Sequence, residues 1–234
     1  MSTQVKEIGV GFAGDMVRAI FAGRKTRTRR LVKLRGRQEL DNGCVFSGRD
    51  PFWMVWPYGQ PGDRIWARES FHPCKGVGLP SGIKDAEYVC FRDGVQKYRR
   101  GGLIAQWTNT SPPTWGPEYK FRPSIHMPRW ACRLLLGVTE VSIERIQDIT
   151  DAEAIEEGVE PNWAGDDLTG WNPKEYGWLP YCTHYPNGCD CAPAFSPRES
   201  FRGLWTRIYG QGEYGWDANP HVWNIAFRVI PKEP

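Results

Sequence analysis

Apolar residues recur in short blocks separated by long polar stretches rich in Gly and Pro, and the spacing within each block distinguishes strand from helix. Ile8 to Phe12 is an apolar run that predicts a strand. Met16, Val17, Ile20 and Phe21 then fall on one helical face, with Asp15 as N-cap and Gly23 as the stop. Arg27 to Leu34 predicts a strand that enters a basic tract, and Pro61-Gly62-Asp63 is a turn leading into a core strand over Arg64 to Glu69. One further strand is expected around Glu87 to Arg92. Trp130 to Val138 reads as a buried strand, and Val141 to Ile146 continues or pairs with it.

Two helices follow. Thr150 and Glu153 have the spacing of a capping box, with Ala152, Ala154 and Ile155 behind them, and Gly158 ends that helix. Pro197 to Tyr209 predicts an amphipathic helix with Phe201, Leu204, Trp205 and Ile208 inward, and His221 to Ile230 a closing strand. Strands separated by single helices, without a βαβ rhythm, argue for an α+β fold built on a small, largely antiparallel β-barrel with flanking helices. A chain of 234 residues, 40% hydrophobic, suits one core and is short for two full domains. Residues 1–234 therefore read as a single domain carrying loop-rich insertions at about 35–60, 72–128 and 160–195.

Charge sharpens the picture at one place. The formal net charge is only +3, yet eight of the fourteen residues from Arg24 to Arg37 are Lys or Arg. Local positive charge favours a phosphate-bearing or nucleic-acid ligand over a membrane surface, with a solvated basic loop as the plain alternative. No run approaches the roughly 18 apolar residues of a membrane span, and the first residues lack a secretory signal layout. The expectation is a cytoplasmic protein with no membrane partner. Gly9 and Gly11 lack the third glycine of a dinucleotide loop, and no phosphate-binding Gly-Lys-Ser/Thr motif occurs, so no organic cofactor is expected.

Lys25 and Thr28 inside the basic tract are an amine and a hydroxyl of the kinds that serve as base and nucleophile, and Arg24, Arg27 and Arg29 around them suit an anionic ligand. Residues three apart on a regular strand face opposite ways, so the two share a pocket only if Lys25 lies in the turn before the strand. Cys182, His184, Cys189 and Cys191 fall within ten residues and allow a closed structural zinc site, with free loop thiols as the alternative. The other three of the seven cysteines that lie before Cys132, and Cys132 itself, show no framework spacing. Several of the twelve tryptophans lie in the expected insertions, where they pack loops or stack on a base.

The run Ala22-Gly23-Arg24-Lys25-Thr26-Arg27-Thr28-Arg29-Arg30, then Pro61 to Trp66, Asp148 to Val159, and the last strand with Val222-Trp223 to Phe227, resembles the ASCH family of PUA-like β-barrels. The resemblance covers about half the chain; the insertions look like those of longer ASCH-like proteins of phages and prophages. It implies a pocket for a nucleobase, modified nucleoside or RNA and, from a small bacterial member, hydrolysis of the acetyl amide of acetylcytidine. That enzyme's lysine and threonine fall on Lys25 and Thr28. Its glutamate falls most naturally on Glu157, although Glu153 and Glu156 lie within the same helical turn. Glu69, at the end of a core strand beside Arg68, is either a rim salt bridge or a competing carboxylate that would bind substrate or face Lys25. Two functions stand side by side: an amidohydrolase acting through Lys25, Thr28 and Glu157, and a non-catalytic RNA-binding module or phage accessory protein.

Overall fold

The structure is a computed structural model, and it describes residues 4–33, 38–41, 44–47, 50–54, 57–75, 87–92, 96–98, 104–105, 120–161, 177–179, 181 and 194–231. The first strands are β1 (Glu7–Gly11), β2 (Arg27–Leu31), β3 (Gln38–Asp41), β4 (Cys44–Ser47), β5 (Asp50–Met54) and β6 (Arg64–Arg68). They are followed by β7 (Phe71–Lys75), β8 (Glu87–Phe91), β9 (Gln96–Tyr98), β10 (Ile104–Ala105), β11 (Leu135–Arg145) and β12 (His221–Ile230). Among the described residues the α-helices are α1 (Gly14–Phe21), α2 (Asp151–Glu156) and α3 (Pro197–Tyr209).

The fold is mixed α+β. Among the described residues five strands form one sheet in the order β1-β6-β11-β12-β2, four form a second, β10-β9-β8-β7, and three a third, β3-β4-β5. The five-stranded order runs from β1 to β2 without closing on itself, so the described residues form no closed barrel. None of their helices is long and apolar enough to cross a membrane.

The chain divides into two compact units. The first comprises residues 1–21, 62–138 and 228–234; the second, 22–61 and 139–227. In the first unit β1 pairs parallel with β6, which pairs antiparallel with the start of β11. Phe71, Val89, Phe91, Met127, Ala131 and Cys132 form a core there, with Trp66 and Trp130 packed against it. In the second unit β2 pairs antiparallel with β12, Arg29 opposite Asn224 and Thr28 opposite Ile225. Its core gathers Leu31 and Val222 from these strands, Ala154 from α2, and Phe201 and Trp205 from α3.

Several expectations change. The stretch 35–60, read as loop, holds three short antiparallel strands, and 72–128 holds four strands rather than one. Trp130 lies in a 3-10 turn over Arg129–Ala131, and the strand begins only at Leu135, because Pro128 opens the turn and cannot donate to a ladder. Asp15 is inside α1 rather than capping it. Phe21 and Ile208, expected inward, are 53% and 52% exposed at helix ends where the packed stripe has rotated away.

Candidate functional site

The second unit builds its buried polar cluster where three elements meet at the start of β2. Gly23 adopts a φ of 72°, a left-handed value that suits glycine and turns the chain out of the helical conformation. Arg24, Lys25 and Thr26 follow outside any regular element, and β2 starts at Arg27. Thr26 is clamped by its backbone: its N–H donates to the Glu156 carbonyl, and its carbonyl accepts from the Phe227 N–H, both at 2.9 Å. That places Lys25 at the end of α2.

α2 owes its position to its cap. The Thr150 hydroxyl accepts from the Glu153 N–H, and the Glu153 carboxylate accepts from the Thr150 N–H, which is the capping box expected from the sequence. Glu157 is the C-cap residue, and Gly158 ends the helix with a φ of 86°. Lys25 Nζ donates to Glu157 Oε2 at 2.6 Å and to the Glu157 backbone carbonyl at 2.7 Å. The two side chains are 0% and 4% exposed. An ammonium at an orphan helix-end carbonyl satisfies an acceptor that the helix itself cannot.

Arg29 extends the network. Its Nε donates to Glu144 Oε1 at 2.6 Å, Nη2 lies 3.2 Å from Glu153 Oε2, and Nη1 lies 3.4 Å from Glu157 Oε1. Arg27, on the same strand face, is bonded to Glu156 and to the Asn224 side-chain oxygen and is 3.5 Å from Glu140. Asn224 donates in turn to Glu144. Arg24 pairs with Glu160 at 2.9 Å, largely in solvent. Four cations of the basic tract, Arg24, Lys25, Arg27 and Arg29, thus meet six carboxylates from within the fold.

The electrostatics follow from burial. Desolvation pushes the Lys25 ammonium below its ordinary pKa; the Glu157 carboxylate pulls it up, and Arg30 and Arg29 push it down again, with the net shift downward. For Glu153, partial burial acts upward, but the Thr150 backbone N–H, Arg29, the Thr150 hydroxyl and Arg27 together hold its carboxyl below the usual value. Burial raises the Tyr209 phenol, which senses Arg30, Tyr58 and Glu157.

Lys25 and Glu157 are therefore brought into direct contact, and Lys25 lies ahead of the strand, as pocket-sharing required. Thr28 is 3% exposed, but strand alternation turns it to the face opposite Arg27 and Arg29. Among the described residues no hydrogen bond joins it to Lys25 or Glu157. Glu153 and Glu156, the competing carboxylates, are taken by Arg29 and Arg27. Glu69 belongs to the first unit and is no rim residue paired with Arg68. It is 2% exposed, and Arg133 grips it with Nε and Nη2 at 2.8 and 2.5 Å. Cys182, His184, Cys189 and Cys191 lie outside the described residues; among those described, no cluster of three or more His, Cys, Asp or Glu suits a metal.

Sequence reasoning missed Glu144, Asn224 and Arg133. A polar residue inside an apolar strand, as Asn224 is in Val222-Trp223-Asn224-Ile225, was the available signal for one of them. No family model, curated protein or solved structure matches the chain.

Proposed function

We propose that the chain is an ASCH-like, PUA-like protein that hydrolyses an acyl amide on the exocyclic amine of a modified cytidine, with Lys25 and Glu157 as its acid/base pair. The observation that carries it is the buried Lys25 ammonium held 2.6 Å from a carboxylate, with its pKa driven down by desolvation. Amide hydrolysis needs a base to take a proton from the attacking group and an acid to give one to the leaving nitrogen. A proton shared across 2.6 Å supports both roles: as the neutral amine Lys25 accepts a proton from a water that attacks the acyl carbon, and Glu157 in its acid form protonates the departing amine. The products are a carboxylic acid and the free cytidine amine.

Water replaces Thr28 as the attacking group, since Thr28 has no bond to the pair. Both acid/base side chains are covered, so substrate entry has to displace what covers them. Such gating by local opening occurs on the microsecond to second scale. The pairing of Arg24, Lys25, Arg27 and Arg29 with carboxylates favours an uncharged base or nucleoside over an RNA backbone at this site, because phosphate binding needs cations that are not already spent on carboxylates. Incubation with N4-acetylcytidine, followed by mass spectrometry, should yield cytidine. Inert acylcytidines, combined with steeply salt-dependent RNA binding that Arg27→Gln abolishes, would favour the RNA-binding module instead.

A further inference from the structure

An exocyclic amide hangs directly from its pyrimidine ring, so whatever holds the ring has to adjoin the acid/base pair. Arg29, with Glu144 and Glu153, fills one side of that pair. Strand alternation turns Arg30 to the other face of β2, where its charge acts both on Lys25 and on the phenol of Tyr209, the last residue of α3. Tyr58 and Glu157 also lie within electrostatic reach of that phenol. Arg30, Tyr58 and Tyr209 are half-buried, in contrast to the covered pair. We infer that Tyr209 is the wall on which the pyrimidine ring of the substrate stacks, and so the residue that sets base recognition at this site. The inference rests on the reading of Lys25 and Glu157 as the acid/base pair, which fixes where the amide lies.

Tyr209 is held in the way a stacking wall requires. Its ring rests against Trp205, with centroids 4.2 Å apart and planes at 36°. Trp205 is itself 2% exposed and donates its indole N–H to the Tyr214 carbonyl at 2.9 Å. The hydroxyl end is tied to β2. That strand is the last of its sheet, and Val32 donates to His221 on β12, so the neighbouring Leu31 N–H points away from the sheet. The Tyr209 hydroxyl accepts from that N–H. A ring fixed at both ends loses little freedom when a base arrives.

The surroundings also select the occupant. Burial raises the phenol above its ordinary value, so Tyr209 is uncharged at neutral pH and offers a π face in place of a counter-ion. An uncharged pyrimidine suits that face, and stacking of one base on one aromatic ring is strong enough to set affinity in a small site. The ribose and the acyl group have no comparable ring to stack. The base is therefore the part of the substrate that Tyr209 distinguishes.

Isothermal titration calorimetry of the full chain with cytidine, and with ribose as control, tests this. Cytidine should saturate one site per chain below about 10 mM, and ribose should not bind. Tyr209→Phe, which keeps the ring, should leave the cytidine affinity within about twofold of wild type. Tyr209→Leu, shown to be folded by its thermal midpoint, should weaken it about tenfold or more. In turnover of N4-acetylcytidine the same Leu variant should raise KM about tenfold and change kcat little. Irradiation of the wild type with 5-iodocytidine, followed by peptide mass spectrometry, needs no variant and should place the adduct on Tyr209. Cytidine binding that requires Tyr209, without any turnover, would keep the base wall and remove the hydrolase. Turnover with KM unchanged in folded Tyr209→Leu would do the reverse. No cytidine binding by the wild type, or adducts only at other residues, would overturn the wall.

Discussion

Lys25 is the residue on which the account turns, because an amine at 1% exposure is tolerated only with partners. Glu157 supplies two acceptors. Replacing it with Gln keeps the shape but removes the charge, and breaking a buried pair in this way costs about 3–5 kcal/mol. The pH dependence has a definite sign. Lys25 already binds its proton less readily in the folded state than at its ordinary value of 10.5, and Glu157 is what holds that shift in check. Without Glu157 the folded pKa falls further, so the unfolded chain binds more protons and stability rises with pH across the window up to 10.5. Urea unfolding of Glu157→Gln from neutral pH to about pH 10 should therefore show the deficit shrinking as pH rises. A deficit that is constant with pH would mean that Lys25 is not charged and buried in the way described. At this scale the sequence named Lys25 and Glu157 through their resemblance and their place in local motifs. It missed Glu144 and Asn224, whose partners Arg29 and Arg27 are 115 and 197 residues away and reach them only through strand pairing.

Among the elements, α2 was legible because its signal is local: Thr150 and Glu153 bond within four residues, whatever the rest of the chain does. Thr150→Ala should cost about 1 kcal/mol in chemical denaturation, and an unchanged midpoint would show that the cap does not support α2. β1 and β6 give a second test. Gly9 pairs with Trp66, and a Cβ at Gly9 would come within 2.7 Å of the indole ring. Gly9→Ala should destabilise the protein by about 1–3 kcal/mol as overpacking, where a variant of unaltered stability would contradict that close approach. The same glycine reads in sequence as an incomplete nucleotide-loop motif, since a contact made across two strands leaves no local trace. β7 was hidden for a related reason. Pro73 argues against a central strand, but β7 is the edge of its sheet, where a missing N–H is tolerated.

For the molecule as a whole, composition bounded the charge correctly but not its distribution. The basic tract looks like a surface for polyanions when only residues 24 to 37 are read, while the counter-charges of Arg24, Lys25, Arg27 and Arg29 come from residues 140 to 160. The two-unit organisation was equally out of reach, since β11 and β12 each contribute residues to both units and their pairing depends on segments far apart in the chain. The four residues Cys182, His184, Cys189 and Cys191 supply a further whole-protein prediction. Elemental analysis of the purified chain should find one zinc that Cys189→Ser removes, and a metal-free wild type would leave those thiols unliganded. The most direct test of the central claim is turnover of N4-acetylcytidine by the wild type and by Lys25→Met and Glu157→Gln, each first shown to be folded. Cytidine and acetate are expected in equal amounts from the wild type, with a loss of at least about 100-fold in both variants. Full turnover by either folded variant, or none by the wild type, would contradict it.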